Sequence, residues 1–116
     1  MPDTIRIYDR HQQEVPIDSI ECLIASGNYT FVHRKDVDRP LLVSRTIKDM
    51  AARLPGFIRI HKSTVINPDH VVRYQIKKHR ESQVHLSGER ILFVSRRYAT
   101  PELYVFACKH SSSLKN

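Results

Sequence analysis

The pattern of apolar and polar positions reads mostly as short strands separated by turns, and in places it alternates with period two, as in a strand with one buried face. TIRIY at 4–8 alternates throughout. EVPI at 14–17 reads as a short edge strand, because Pro16 has no N–H to give to a ladder. SIECLIASGNYTFVHRKD divides into strands over roughly 20–25 and 29–34, with Ser26-Gly27-Asn28 as the turn between them. LLV at 41–43 follows a further turn at VDRP. The period lengthens once. In SRTIKDMAARLPG, Ile47, Met50, Ala51 and Leu54 recur at i, i+3, i+4 and i+7, which predicts a short amphipathic helix near 46–54 with its apolar face in the core. Thr46 with Asp49 forms a capping-box pattern, Ser44 is a rival N-cap, and Pro55-Gly56 stops the helix.

Beyond the helix, FIRIH at 57–61 returns to strand, a turn falls at Asn67-Pro68-Asp69, and HVVRYQI at 70–76 is the next strand. QVHLSGERILFVS then reads as a hairpin in which Ser87-Gly88 supplies a positive-φ residue. RRYATPELYVFACK starts as a short helical segment, with Pro101 in its first turn. The pattern therefore predicts one mostly-β domain of antiparallel strands over 1–116 with a single short helix. No βαβ rhythm appears, which argues against a parallel nucleotide-binding sheet.

Composition changes the picture in two places. The content of 41% hydrophobic and 27% charged residues suits a globular domain and is too apolar for intrinsic disorder. No apolar run approaches the roughly 20 residues of a membrane span, and the N-terminus has no secretory pattern, so the expected location is cytoplasmic without membrane insertion. Cys22 and Cys108 lie in apolar contexts and read as reduced core thiols. Charge is more informative: 19 Lys and Arg against 12 Asp and Glu leave +7. That balance favours polyanionic partners. The basic residues gather in the second half, at Arg59–Lys62, Arg73–Arg80 and Arg96–Arg97.

Catalytic and cofactor signatures are missing. There is no G-x-G-x-x-G, P-loop, C-x-x-C or H-E-x-x-H, the seven histidines show no metal-ligand spacing, and no serine sits in a nucleophile elbow. The reading is of a protein that is not an enzyme and takes no cofactor or metal. What remains is three polar clusters at strand ends: Gly27-Asn28-Tyr29, His61-Lys62-Ser63 and Ser95-Arg96-Arg97-Tyr98. Each attaches hydrogen-bonding or cationic groups to a rigid strand through a short loop. Such mounting suits the reading of base edges and phosphates: Arg forks onto guanine, Lys reaches guanine or phosphate, and Asn pairs with adenine.

NYTFVH, LLVSRTIKDMAARLPGFIRIHKSTVINPDHV and VHLSGERILFVSRRY, in that order, resemble the LytTR-type DNA-binding domain, the output domain of bacterial LytTR-family transcriptional regulators. The resemblance covers roughly 15–106. Its most specific part is F-x-R-x-H-(K)-S-x-x-(I)-N, matched by Phe57, Arg59, His61, Ser63 and Asn67. It implies a compact antiparallel-strand fold that binds double-stranded DNA through strand-end loops, entering successive major grooves at promoter direct repeats and bending the duplex. Two domains then share the DNA, as a homodimer or as neighbours. The contacts it implies fall on Asn28 or Tyr29, Lys62 and Arg97. Lys62 stands where Asn or Arg is usual, keeping a donor but losing bidentate pairing with adenine.

The residues themselves add further candidates. His61 is either a phosphate donor or a partly buried ring that holds its loop, and Ser63 either donates to phosphate or caps the turn. Arg59 reads as a surface strand residue near phosphate, and Arg96 extends the third cluster. Lys77, Lys78, His79 and Arg80 form a basic loop suited to backbone contact, and Asn67 makes local backbone bonds at its turn. No acidic receiver domain fits within the chain, so the expectation is an excised output domain or a stand-alone regulator, with a regulatory protein as a further partner. Two rival readings are an RNA-binding β domain, using exposed aromatics such as Tyr29 and Tyr98, and an interaction module whose strand edges bind an acidic partner.

Overall fold

A computed structural model describes residues 4–8, 12–75 and 82–99. The central element is a five-stranded antiparallel sheet of β3 (Ile20–Ser26), β4 (Tyr29–Arg34), β5 (Leu41–Val43), β6 (Ile58–His61) and β7 (Thr64–Ile66), ordered β5-β4-β3-β7-β6. In β3, Ile20 to Leu23 are buried in succession. A sheet covered on both faces explains this, since neither parity of its side chains meets water.

One face of the sheet carries Leu23, Val32, Val43 and Val65. They pack against Ile47, Met50 and Leu54 of the helical segment, and against Ile5, Ile7 and Val15 of the β1 (Thr4–Tyr8) and β2 (Gln12–Pro16) hairpin. The other face carries Cys22, Ile60 and Ile66. These meet Tyr74, Val84, Leu86 and Val94 of a three-stranded sheet, ordered β10-β9-β8: β8 (Val71–Gln75), β9 (Ser82–Leu86) and β10 (Ile91–Val94). Each fully buried aliphatic side chain contributes about 1.5–3 kcal/mol. Two cores around one sheet therefore hold that sheet rigid.

The mostly-β reading holds, with local differences. The helix α1 is shorter than its apolar period, Ile47–Ala52, and Thr46 rather than Ser44 caps it by accepting from the Asp49 N–H at 3.2 Å. β7 is a strand that the pattern did not announce. Its three residues are all buried, so no alternation betrays it. In the β9–β10 turn the positive φ belongs to Glu89 (+65°), not to Gly88. Gly88 is needed for another reason: the carboxylate of Glu21, 3% exposed, occupies the space its Cβ would fill. Arg90 Nε lies 4.0 Å from that same carboxylate. The segment after β10 does begin helically, as a 3-10 turn at Arg96–Tyr98. Pro101 and Cys108 lie outside the described residues. Cys22 is free and buried, and burial pushes its thiol up to about 12, so it has no thiolate character near neutrality.

Candidate nucleic-acid interface

Antiparallel pairing decides where the polar clusters end up. β3 and β4 turn through Gly27 (φ +59°) and Asn28, with Ser26 opposite Tyr29. On one side, Thr30 pairs with Val43, and its hydroxyl donates to the Arg45 carbonyl at 2.7 Å. On the other side, Ile24 pairs with Thr64, and the Ala25 N–H donates to the Ser63 carbonyl at 2.8 Å. The Ser95 N–H donates to the Ile60 carbonyl at 2.8 Å, which sets Arg96–Tyr98 beside the end of β6. Four chain segments therefore meet at one end of the central sheet: Ser44–Arg45, Gly27–Tyr29, His61–Ser63 and Arg96–Tyr98.

Strands lie about 4.8 Å apart, so the row from the end of β5 to the segment beyond β6 spans about 24 Å. Arg45, Asn28, Tyr29, Lys62, Arg96 and Arg97 are exposed along it, and Tyr29 keeps 48% of its surface free. Asn28, Tyr29, Lys62, Arg96 and Arg97 are the residues of this row that the sequence singled out.

Arg45 was missed, although a signal existed. The tripeptide Val-Ser-Arg occurs at 43–45 and again at 94–96, each time closing a strand. Only pairing of β5 with β4 reveals that both copies reach the same edge.

His61 and Ser63 are half-buried and bonded to each other. The Ser63 N–H donates to His61 Nδ1 at 3.1 Å, and the Ser63 hydroxyl lies 3.0 Å from the same nitrogen. An Nδ1 that accepts places the proton of the neutral ring on Nε2. Of the two roles read for His61, loop support is the one this geometry expresses, and Ser63 is likewise engaged within the turn.

Arg59 differs from its reading as a surface residue near phosphate: it is half-buried and bonded to the loop. Its guanidinium donates to the carbonyls of His61 and Lys62 and lies over the Tyr98 ring, 5.7 Å from its centroid. Tyr98 is correspondingly half-buried, whereas Tyr29 is exposed. Asn67, 3% exposed, sits at the opposite end of β7 and bonds backbone there. Arg80 lies outside the described residues, as do Lys77, Lys78 and His79.

The helix does not join this row as a reading element. It has six residues, and Ile47 and Met50 are buried beneath it. Among the described residues no group of three or more His, Cys, Asp or Glu is placed to hold a metal ion, and no helix is long and apolar enough to cross a membrane.

The family model of the LytTr DNA-binding domain matches residues 12–101. The chain belongs to this family. Its function class is accordingly DNA binding in transcription regulation. A similar solved structure is the LytTr DNA-binding domain of a protein described as a methyl-accepting/DNA response regulator from Bacillus cereus, 18% identical. The match covers 91% of this chain and 97% of that one with a TM-score of 0.76. At that identity it is the fold that is shared. No curated protein matches the sequence. The shared fold is mostly β, and in this chain the exposed cations of the row stand at strand ends.

Proposed function

We propose that this LytTr domain recognises sequence in double-stranded DNA through the row of strand-end tips, with Asn28 or Tyr29, Lys62 and Arg97 reaching base edges in major grooves. One observation carries the proposal: four separate segments converge on one rigid sheet edge, and each brings an exposed polar or cationic side chain. A major groove is about 12 Å wide. A row of about 24 Å therefore cannot sit within one groove, and its tips divide between grooves and the phosphates that flank them. Arg45, at one end of the row, and Arg96, at the other, are assigned to phosphate. His61 and Ser63 act by shaping the loop that presents Lys62.

Short recognition of this kind gains specificity when two copies occupy adjacent direct repeats of a promoter. Selection of bound duplexes from a random pool tests the proposal, and the expected product is a pair of short repeats in the same orientation. Recovery of no preferred sequence, or of structured RNA in preference to duplex, would remove it. The two ends of the row also give a prediction about affinity without sequence. Arg45→Ala should weaken preferred and scrambled duplexes alike and flatten the log–log salt slope by about one unit, as measured by titration at several salt concentrations.

A further inference from the structure

Two of the tips are not independent. Arg59, on β6, has its guanidinium Nε 3.4 Å from the His61 carbonyl, donates through Nη2 to the Lys62 carbonyl, and lies over the Tyr98 ring with Cζ 5.7 Å from its centroid. The first two contacts belong to the loop that carries Lys62. The third belongs to the 3-10 turn that carries Arg96 and Arg97. The backbone bond from Ser95 to Ile60 already docks the second segment beside the first, and the His61–Ser63 bonds brace the first loop from within. The side chain of Arg59 thus touches both tips.

From this geometry we infer that Arg59 is a positioning residue: it clasps the Lys62 loop to the Arg96–Tyr98 turn, so that the second and third tips meet DNA as one preset unit. This rests on the DNA-reading role proposed above. The residue acts through the carbonyls and the ring it holds, with its Nε and Nη2 engaged within the protein. Preset tips lose less freedom on binding, and a clasp therefore favours the duplex on which both tips fit together.

Arg59→Lys is the decisive variant, because it keeps the charge but removes the planar fork and the stacking face. On the duplex recovered from the random pool, affinity should fall roughly tenfold, with less than a twofold change on a scrambled duplex and an unchanged salt slope. In the free protein, backbone amides at 61–63 and at 96–98 should shift together, while those at 20–23 stay in place. Tyr98→Leu supplies an independent check, since removing the ring should move the amides at 61–63, far away in sequence.

Wild-type affinity and loop shifts in Arg59→Lys would overturn the clasp. So would equal losses on both duplexes with the slope flattened by one unit, which would make Arg59 a phosphate contact. A response confined to one of the two loops would overturn it as well. If the wild-type protein has no preferred duplex, the DNA reading fails by itself, and the amide shifts still decide whether the clasp exists.

Discussion

Arg97→Ala and Lys62→Ala should each weaken binding to the preferred duplex by about 1–3 kcal/mol, roughly 5- to 150-fold, and each should relax preference at its own base position. Both side chains are exposed on the shared sheet edge, so neither truncation opens a cavity or strands a buried partner. The whole effect is then read in binding, with the thermal midpoint unchanged. Arg97 should show the larger loss, because its guanidinium can bond a guanine at two points, whereas the Lys62 ammonium approaches as a point charge. Titration against the preferred duplex and against single-position substitutions of it provides the measurement. Small, equal losses on every sequence, accompanied by a flatter salt slope, would show that these two residues meet only phosphate.

Asn67→Ala should have its effect at the other end of the sheet and in stability alone. Asn67 Nδ2 donates to the Ile20 carbonyl at 2.9 Å, and Oδ1 accepts from the Asp69 N–H at 3.1 Å. A longer bond runs from Nδ2 to the Ile17 carbonyl at 3.5 Å, and the three lost bonds differ in weight. Asp69 is exposed, and water can replace its acceptor, but Ile20 is fully buried and its carbonyl loses this donor without solvent at hand. Leaving such a group unsatisfied costs about 1–3 kcal/mol, which for a domain of this size lowers the thermal midpoint by about 4–20 °C. Asn67→Asp should be no better, because it keeps an acceptor for Asp69 but turns a carboxylate oxygen toward the Ile20 carbonyl. DNA affinity, measured well below the midpoint, should stay within about twofold, since Asn67 and the tips lie at opposite ends of β7. An unchanged midpoint in Asn67→Ala would refute the structural role.

On the reading proposed above, the arrangement lets a domain read DNA with strands and loops. A recognition helix needs length, and α1 has only six residues, with Ile47 and Met50 buried. The central sheet is held on both faces, so its ends are fixed points from which side chains reach outward. Loop residues on such a base lose little further freedom on binding.

Much of the fold was legible in the chain. Period two in TIRIY marks a strand with one covered face, and the single stretch of period 3.6 marks the helix, because in each case one set of side chains is buried and its neighbours are not. Legibility failed where burial is uniform. The Thr64–Ile66 strand is buried throughout and leaves no alternation to read. Turn chemistry also misled: Gly88 signalled a positive φ but is required by the packing of Glu21, while Glu89 takes the strained conformation.

The site divides in the same way. Local order along the chain was enough to mark Asn28, Lys62, Arg96 and Arg97 as polar groups at the ends of apolar strands, and to match the motif around Phe57–Asn67. Proximity is a different property, because it depends on pairs of strands far apart in sequence. The pairing of β4 with β5 brought Arg45 to the edge. The pairing of β3 with β7 set Asn28 beside Lys62, and the Ser95–Ile60 bond added Arg97. Arg59 shows the limit most clearly: its alternation out of the core reads as exposure, and only the folded neighbours reveal what it holds. Side-chain periodicity determined which residues face solvent at strand ends, but hydrogen-bond register between distant strands decided which of them stand together.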